Sequence, residues 1–544
     1  MYRIHQISLG LDETEEKIPE KILKKIGAGR KAQLISITDW KIVRESIDAR
    51  DKSDIRRVYT VDFDIELKGN GKNIKKLGLK LETAPNTDYC PAVTEQNARP
   101  LKHRPVIVGF GPAGIFAGLI LAQAGYRPLI LERGADIDKR TSDVEKFWEN
   151  GQLNVNSNVQ FGEGGAGTFS DGKLTTGIKD ARISKVLNEL VSGGGPKDIL
   201  YKQKAHIGTD LLRNVVKSIR ETIKSLGGEI RFNTYVSDFE ITDKKLTAVM
   251  TGSGEIIPCE AAIFAIGHSS RDTFRWLNQK HIKMEQKPFS IGVRIEHPQD
   301  LIDIAQYGRP AAELGLPVAD YKLNHRCKDG RGVYTFCMCP GGRVIAAASQ
   351  KGGVVTNGMS LHARDSGVAN SALLCDVRTS DFGSDDVLAG VEFQEKYEKL
   401  AFINGGNDYS MPKATWGELR DGKAQNVENS LPEFAVEAMR EAMPYLAHKL
   451  KGFDDENAIV TAVESRSSSP VRFGRNSENM TGMLCIESSY SYKKAFTDEK
   501  EDCVMLEGFY PCGEGAGYAG GIMSAAVDGI KVAEAIIKKY NKSI

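Results

Sequence analysis

The sequence of 544 residues has almost no net charge, because 73 lysines and arginines balance 72 aspartates and glutamates. No global field therefore attracts DNA or an anionic membrane. Its nine cysteines are an odd number without the spacing of an extracellular disulfide framework, which predicts reduced thiols and a cytoplasmic location. Residues 1–6 lack the apolar core of a secretory signal, which agrees with that location.

One apolar stretch, residues 106–125, is long enough to span a bilayer. Pro112 and three glycines interrupt it early. A buried strand, a tight turn and a buried helix explain such a stretch better, so we predict no membrane span.

Glycine is abundant, at 55 residues, and its surplus is local. The segments 109–125, 151–177 and 513–529 hold 18 of these glycines in 61 residues. The rest of the chain is close to the average usage of about 7%. The three clusters indicate places where the backbone must come close to something.

Strand and helix patterns divide the chain into four parts. Residues 1–97 are typical of a small α+β domain, and a βαβ pattern begins in the second part, 98–272. Residues 273–459 indicate an inserted α+β domain, and 460–544 return to strand, glycine turn and helix. The predicted fold class is α/β: a Rossmann-like domain, with a parallel sheet and a crossover β-meander, that is split by the insertion.

The strongest motif is Gly109-Phe110-Gly111-Pro112-Ala113-Gly114, which follows an apolar strand and opens a helix. Gly109 would make the tight turn, Gly111 would leave room for a pyrophosphate, and Gly114 would let helix and strand pack closely. The helix N-terminus offers N–H groups and a partial positive charge to the anion. Glu132 ends the next strand, where a carboxylate accepts hydrogen bonds from a ribose diol. The motif predicts a dinucleotide, either FAD or NAD.

A second strand–glycine–helix element, residues 512–522, lies about 400 residues later. Flavoproteins of the glutathione-reductase-like superfamily have a similar late element, whose acidic residue binds the ribityl or pyrophosphate region. Glu514 stands where aspartate is usual. The resemblance implies FAD, because a nicotinamide enzyme has no need of this element. The strand end at Ala265-Ile266-Gly267-His268 resembles a third mark of the superfamily.

The middle glycine cluster, residues 161–173, lies where such proteins wrap a loop around the pyrophosphate and the flavin ring. Backbone N–H groups in a glycine nest favour anions. The alternative interpretation is a flexible surface loop. Lys173 could face flavin N1–C2=O or a substrate anion.

Over nearly its whole length the chain resembles a bacterial family of uncharacterised FAD-dependent dehydrogenases within that superfamily. The resemblance is carried by residues 46–50, 160–173, 266–272, 296–298, 336–342 and 466–472. It implies FAD binding and hydride transfer through flavin N5 to or from a small molecule, and it leaves the substrate unnamed. The expected cofactor contacts are Gly109, Gly111, Pro112, Ala113, Gly114, Glu132, Arg133, Gly164, Gly165, Ala166, Gly167, Lys173, Val236, Gly267, Gly513, Glu514, Gly521 and Ile522.

Arg466 and Lys173 are the candidate catalytic residues. An arginine near a flavin can stabilise an anionic reduced ring or a substrate carboxylate. His268 and His297 are further candidates for substrate or flavin contact, and a structural role explains either of them equally well.

The cysteines leave alternatives open. Cys337 and Cys339 form a C-x-C that could be a redox pair or, with His325 and Cys327, a metal site. The spacing is tighter than zinc sites use, so we predict ordinary thiols and no metal. Cys512 could exchange electrons with the flavin. No C-x-x-x-x-C follows the first glycine motif, so the sequence does not support a disulfide-reductase mechanism.

Two other functions remain open. No second strand-linked GxGxxG is present, so NAD(P)H would bind only transiently as an electron donor, but a plain NAD-dependent dehydrogenase is an alternative. The segment 466–472 also resembles one in flavoproteins that modify tRNA uridines. An RNA-associated flavoprotein would hold RNA with the basic residues of the N-terminal domain, which are Arg50, Lys52, Arg56, Arg57, Lys68, Lys72, Lys75 and Lys76.

Overall fold

The computed structural model describes residues 1–68, 77–485 and 503–542. The N-terminal part is an antiparallel sheet with one helix. Its elements are β1 (Tyr2–Gly10), α1 (Ile18–Lys25), β2 (Ile35–Asp48), β3 (Arg56–Leu67) and β4 (Glu82–Thr83), in the strand order β2-β3-β1-β4. Ile18 and Ile22 of α1 share one buried cluster with Val61 and Phe63 of β3. The sequence Gly69-Asn70-Gly71-Lys72, which predicts a hairpin tip, lies outside the described residues.

The second part begins with a βαβ unit, as the sequence pattern predicted, and its last two elements extend past the predicted boundary at residue 272. Its elements are β5 (Arg99–Pro100), β6 (Val106–Val108), α2 (Pro112–Gln123), β7 (Leu129–Leu131), α3 (Ile137–Asn150), α4 (Arg182–Ser192), α5 (Thr209–Ser225), β8 (Glu229–Arg231), β9 (Val236–Thr242), β10 (Lys245–Thr251), β11 (Ile256–Pro258), β12 (Ala262–Phe264), α6 (Arg271–Gln279) and β13 (Met284–Gln286).

The third part is built around a mostly antiparallel sheet flanked by helices. Its elements are β14 (Phe289–Pro298), α7 (Gln299–Tyr307), β15 (Asn324–Arg326), β16 (Gly332–Cys339), β17 (Arg343–Ala346), β18 (Thr356–Met359), β19 (Val368–Val377), α8 (Ala389–Asn404), β20 (Lys413–Thr415), α9 (Trp416–Arg420), α10 (Gln425–Glu428), α11 (Glu433–Lys449) and β21 (Ile459–Glu464). Six of these strands pair antiparallel in the order β15-β16-β19-β14-β21-β20.

The last part closes the fold with β22 (Val471–Phe473), β23 (Met483–Cys485), β24 (Cys503–Met505), β25 (Phe509–Pro511), α12 (Ile522–Lys539) and β26 (Tyr540–Asn541). β25 joins a parallel sheet of five strands in the order β25-β12-β6-β7-β8. Strands from before and after the third part therefore lie side by side, and the predicted mixed α/β class with a parallel sheet is confirmed.

The apolar stretch 106–125 forms β6, a tight turn and α2. Residues 113–122 of α2 are all buried, and the helix packs against α5 and α12. A Cβ on Gly529 of α12 would lie 2.2 Å from the carbonyl oxygen of Ala113, so the two helices touch through their backbones. Among the described residues, no helix has both the length and the hydropathy to cross a membrane.

Two features bear on the predicted divisions. β9, β10 and β11 form a small antiparallel sheet that connects β8 to β12, at the place of the predicted meander. β21 pairs with β14 and β20, inside the six-stranded sheet. The predicted boundary at residue 460 falls within β21, so we propose that the inserted domain ends after Glu464.

Candidate functional site

A cavity of about 370 Å³ opens where the parallel strands end. Residues directly after β6, β7, β12 and β25 line it, at the carboxyl edge of the sheet, where open α/β sheets bind ligands. Glycines from all three clusters line it together: Gly109 and Gly111, Gly165 and Gly167, Gly520 and Gly521. The third part of the chain supplies the opposite wall with Phe336, Cys337, Thr356, Asn357 and Glu464, and Arg466 of the last part adds to it.

The first glycine turn is set by close backbone approach. A Cβ on Gly109, whose φ is 100°, would lie 2.5 Å from the carbonyl oxygen of Ala265. A Cβ on Gly114 would lie 2.0 Å from the carbonyl oxygen of Gly109. Side chains at these positions would push α2 away from the sheet, and glycine is required for the packing.

Two helix N-termini point into the cavity. α2 and α12 begin after the N-cap residues Gly111 and Gly521, which have no side chain to cap the first-turn N–H groups. A Cβ on Gly520 or Gly521 would meet no protein atom within 4 Å, so this backbone borders open space. Two N-termini with free amides and partial positive charge make the cavity a site for an anion such as a pyrophosphate.

The side chain of Glu132 stabilises the first glycine turn. It is buried and accepts hydrogen bonds from the backbone N–H groups of Phe110 (2.7 Å), Gly134 (2.8 Å) and Gly162 (3.0 Å). A carboxylate has about four acceptor sites, so one remains for a ligand hydroxyl. The next residue, Arg133, lies over the Phe161 and Tyr235 rings at 5.0 and 5.6 Å from their centroids.

Lys173 lines the cavity, but its ammonium group is held by the opposite wall, where it donates to the carbonyl oxygen of Met338. Next to it, buried Asp171 accepts hydrogen bonds from Arg364 and Ser360. Burial alone would raise the pKa of Asp171, but the charges of Arg364 and Lys173 lower it below the ordinary value. Lys173 therefore ties the glycine loop to the third part of the chain.

Arg466 also lines the cavity, as a fixed positive group. Its guanidinium donates to both carboxylate oxygens of Glu398 (3.0 and 2.7 Å) and to the hydroxyls of Ser269 and Ser349. Arg271 binds the same carboxylate from the other side. Burial opposes the charge on Glu398, but the two arginines lower its pKa below the ordinary value. Four of the five N–H donors of Arg466 are thus used within the protein.

Of the 18 predicted cofactor contacts, 15 line the cavity. Gly114, Gly164 and Gly513 lie behind the lining. The N–H of Gly164 donates to the carbonyl oxygen of Phe110 (2.9 Å), and that of Gly513 donates to Asp528 (2.7 Å). These three glycines support the wall and do not contact the cavity.

The other candidates divide between the cavity and the core. His268 and Cys512 line the cavity, and burial raises the pKa of the Cys512 thiol well above its ordinary value. His297 does not line it, since its Nε2 lies 2.9 Å from the carbonyl oxygen of Phe453 and its ring stacks on the Phe453 ring. These contacts agree with the structural role that the sequence left open for His297.

The four residues considered as a metal site do not come together. β15 pairs with residues 332–334 at the start of β16, whereas Cys337 and Cys339 lie at its other end. His325 and Cys327 instead meet Glu441 of α11, with one ligand-type atom from each within 4.8 Å of the others.

Thr356, Asn357 and Glu464 line the cavity without having been predicted. Thr356 Oγ1 and His268 Nε2 are buried with no hydrogen-bond partner among the described residues, so polar atoms of a ligand would satisfy them. Glu464 lies two residues before Arg466, so the segment 466–472, which carries part of the family resemblance, marked its neighbourhood in the sequence. Thr356 and Asn357 lie in no motif, and no sequence signal marked them.

The fold and the site define a class: an α/β protein in which a glycine turn, a second helix N-terminus and the carboxylate of Glu132 line one cavity. The chain belongs to one family with an uncharacterized protein of Clostridium beijerinckii (strain ATCC 51743 / NCIMB 8052), with 46% identity over 558 residues and 99% of each chain covered. Residues 288–467 match a family described as "FAD-dependent protein, C-terminal domain-like", and residues 1–64 match a domain of unknown function.

Solved structures give only weak likenesses. Glycine oxidase from Bacillus cereus ATCC 14579 has a TM-score of 0.34 at 11% identity, covering 81% of this chain and 99% of that one. The flavin-dependent brominase Bmp2 has a TM-score of 0.35 at 11% identity, covering 80% and 78%. Likenesses at this level support no inference about this chain.

Proposed function

We propose that the protein is an FAD-dependent oxidoreductase acting on a small molecule. The observation that carries the proposal is the convergence of three glycine clusters and two helix N-termini on one cavity. The match of residues 288–467 to a family of FAD-dependent proteins supports it independently. In this proposal a Rossmann-like domain, split by the insertion, binds FAD, and the inserted domain covers the flavin ring.

The lining residues fit FAD. The turn at Gly111 and the N-terminus of α2 would hold the pyrophosphate, and Glu132 would accept a ribose hydroxyl through its remaining acceptor site. Gly165 and Gly167 would approach from the loop, with Glu514 and Gly521 at the ribityl end. The partnerless Thr356 Oγ1 and His268 Nε2 provide polar contacts that the protein itself leaves unmet.

When bound, FAD supplies two-electron chemistry, with hydride transfer through N5. The chain contributes position and charge. Arg466, held by Glu398 and two serines, places a positive group on the wall without moving, and it neutralises negative charge that develops nearby. The hydrogen bond from the Lys173 ammonium group to the carbonyl oxygen of Met338 holds the glycine loop against the inserted domain, which helps to exclude water. We propose a cytoplasmic location, where thiols stay reduced, because no disulfide joins cysteines among the described residues.

The first experiment is purification followed by an absorbance spectrum, release of the ligand and its identification as FAD. The apo protein should bind FAD much more tightly than NAD. A colourless protein that binds no added FAD would overturn the proposal, and binding of NAD alone would establish the dehydrogenase alternative. Anaerobic mixing of the flavoprotein with NADH and with NADPH then tests the transient donor, before a screen of acceptors.

The RNA-associated alternative draws no specific support from the described residues. Arg50 pairs with Asp48 and Arg56 with Asp54, while Lys52 donates to the carbonyl oxygen of Ala305. Lys72, Lys75 and Lys76 lie outside the described residues. A salt-dependent mobility shift with tRNA would revive this alternative, and absence of binding at low salt would remove it.

A further inference from the structure

β16 carries a bulge where it meets the cavity. Phe336 pairs with Ala372 and Cys339 with Asn370, so β16 has one residue more than β19 between these pairs. Within the bulge Cys337 has a φ of 42°, in the left-handed region that residues other than glycine rarely adopt. Strained residues of this kind cluster at functional sites.

The bulge brings two thiols together. The Cys339 thiol donates a hydrogen bond to the backbone carbonyl oxygen of Cys337 (Sγ to O, 3.3 Å), so the two cysteines are in direct contact. Cys337 lines the cavity, while Cys339 is fully buried behind it. Cys337 is therefore accessible from the cavity, whereas Cys339 lies next to it within the wall.

Fixed charges surround this pair. Arg294 is fully buried and donates to Glu464 and to the carbonyl oxygen of Cys337 (3.0 Å), and its Nη1 lies 3.9 Å from Cys339 Sγ. The ammonium group of Lys173 donates to the carbonyl oxygen of Met338, the residue between the two cysteines. The two cations hold the bulge in place and favour negative charge on a sulfur next to them.

The two thiols are not equivalent. The hydrogen bond from Cys339, with the charges of Arg294 and Lys173 opposing burial, lowers the pKa of Cys337 to about 5. The hydrogen bond to Cys337 and burial raise the pKa of Cys339 well above its ordinary value. A thiolate beside a neutral thiol is the arrangement from which dithiols oxidise. Buried Cys259, Cys327 and Cys375 differ, because burial raises the pKa of each and none lines the cavity.

We propose that Cys337 and Cys339 are a redox-active dithiol that exchanges two electrons with FAD and relays them to or from a small disulfide that enters the cavity. The inference rests on the proposed FAD function. In the oxidising direction the Cys337 thiolate and the Cys339 thiol form an S–S bond and release two electrons and one proton. Both electrons and the proton go to FAD, which becomes its anionic reduced form. A small disulfide is reduced instead when the same dithiol gives it two electrons and one proton, forms the S–S bond, and releases one thiol and one thiolate.

The test is to count electrons in the holoprotein. Anaerobic dithionite titration of the air-oxidised wild type should consume four electrons, two for the flavin and two for the disulfide. Cys337→Ser and Cys339→Ser should each consume two. Cys375→Ser, which removes a buried thiol from the adjoining strand β19, is the matched control and should still consume four.

A second readout needs no variant. In the air-oxidised wild type, alkylation after denaturation, followed by mass spectrometry, should leave Cys337 and Cys339 unmodified until a reductant is added. Uptake of only two electrons together with alkylation of both cysteines would overturn the dithiol and leave the flavin proposal standing. A protein without flavin, in contrast, would overturn the proposed function itself.

Discussion

Replacing Glu132 with glutamine tests how the glycine turn and the cofactor are coupled. The carboxylate accepts two backbone N–H groups at Oε1 and a third, from Phe110, at Oε2. An amide has one acceptor oxygen and one N–H₂ donor, so no orientation satisfies all three. In the best orientation the amide oxygen takes the place of Oε1 and accepts from Gly134 and Gly162, while the N–H₂ group faces the N–H of Phe110 inside the turn.

An unmet buried N–H costs about 1–3 kcal/mol. Without FAD the turn can move to relieve this contact, but bound FAD requires the turn in place. The cost should therefore appear in FAD binding, as a Kd weakened by about 5- to 140-fold at about 1.4 kcal/mol per factor of ten. The assay is fluorescence titration of the apo variant with FAD.

Glu163→Gln is the matched control. Glu163 is also fully buried and accepts the N–H of Ile137 and the guanidinium of Arg220, but it does not line the cavity. It should lose stability and keep its affinity for FAD. An unchanged Kd in Glu132→Gln, or an equal weakening in both variants, would refute the reasoning.

Three further predictions concern stability. Glu398→Gln leaves Arg271 and Arg466 buried without their carboxylate, and urea denaturation should show a loss of about 3–5 kcal/mol. Because the pKa of Glu398 is lowered in the fold, wild type has this contribution in full above about pH 4.3 and loses it only as the pH falls through the lower folded value. Gly114→Ala puts a Cβ 2.0 Å from the carbonyl oxygen of Gly109 and should abolish soluble FAD-binding protein, whereas Gly520→Ala, which meets no protein atom within 4 Å, should keep the wild-type melting temperature. Burial lowers the pKa of His206 to about 4, so the fold favours its neutral form. The stabilisation that neutral His206 provides is complete above about pH 6.5, and roughly 3 kcal/mol of it is lost as the pH falls toward 4. His206→Gln should therefore make the melting temperature less dependent on pH over this interval. An unchanged slope would contradict the assignment.

The elements that depend on local backbone geometry could be predicted from the sequence. Gly109, Gly111 and Gly114 follow an apolar strand and open a helix, and the structure places them in such a turn, where the backbone approaches at Gly109 and Gly114 leave room only for glycine. Glu132 follows the next strand at the same sheet edge. Both predictions needed only neighbouring residues and the rule that parallel strands end together.

The opposite wall could not be predicted, because tertiary pairing decides it. β21 has the same apolar pattern whether it pairs in the parallel sheet or with β14, so the sequence could not show that residue 460 lies inside a strand of the six-stranded sheet. The carboxylate that holds Arg466 comes from α8, far away in the sequence. The bulge at Cys337 arises from the register against β19, which no local pattern encodes.

The contact between α2 and α12 has a consequence for synthesis. A ribosome adds about 5–20 residues per second, so the 400 or so residues between these helices take about 20–80 s to make. Through that interval the most apolar helix of the second part lacks the partner that touches its backbone at Ala113. The nascent chain is exposed to aggregation until its final segment emerges. We therefore expect dependence on chaperones during translation, and truncations before residue 522 should be degraded even though the first βαβ unit is complete.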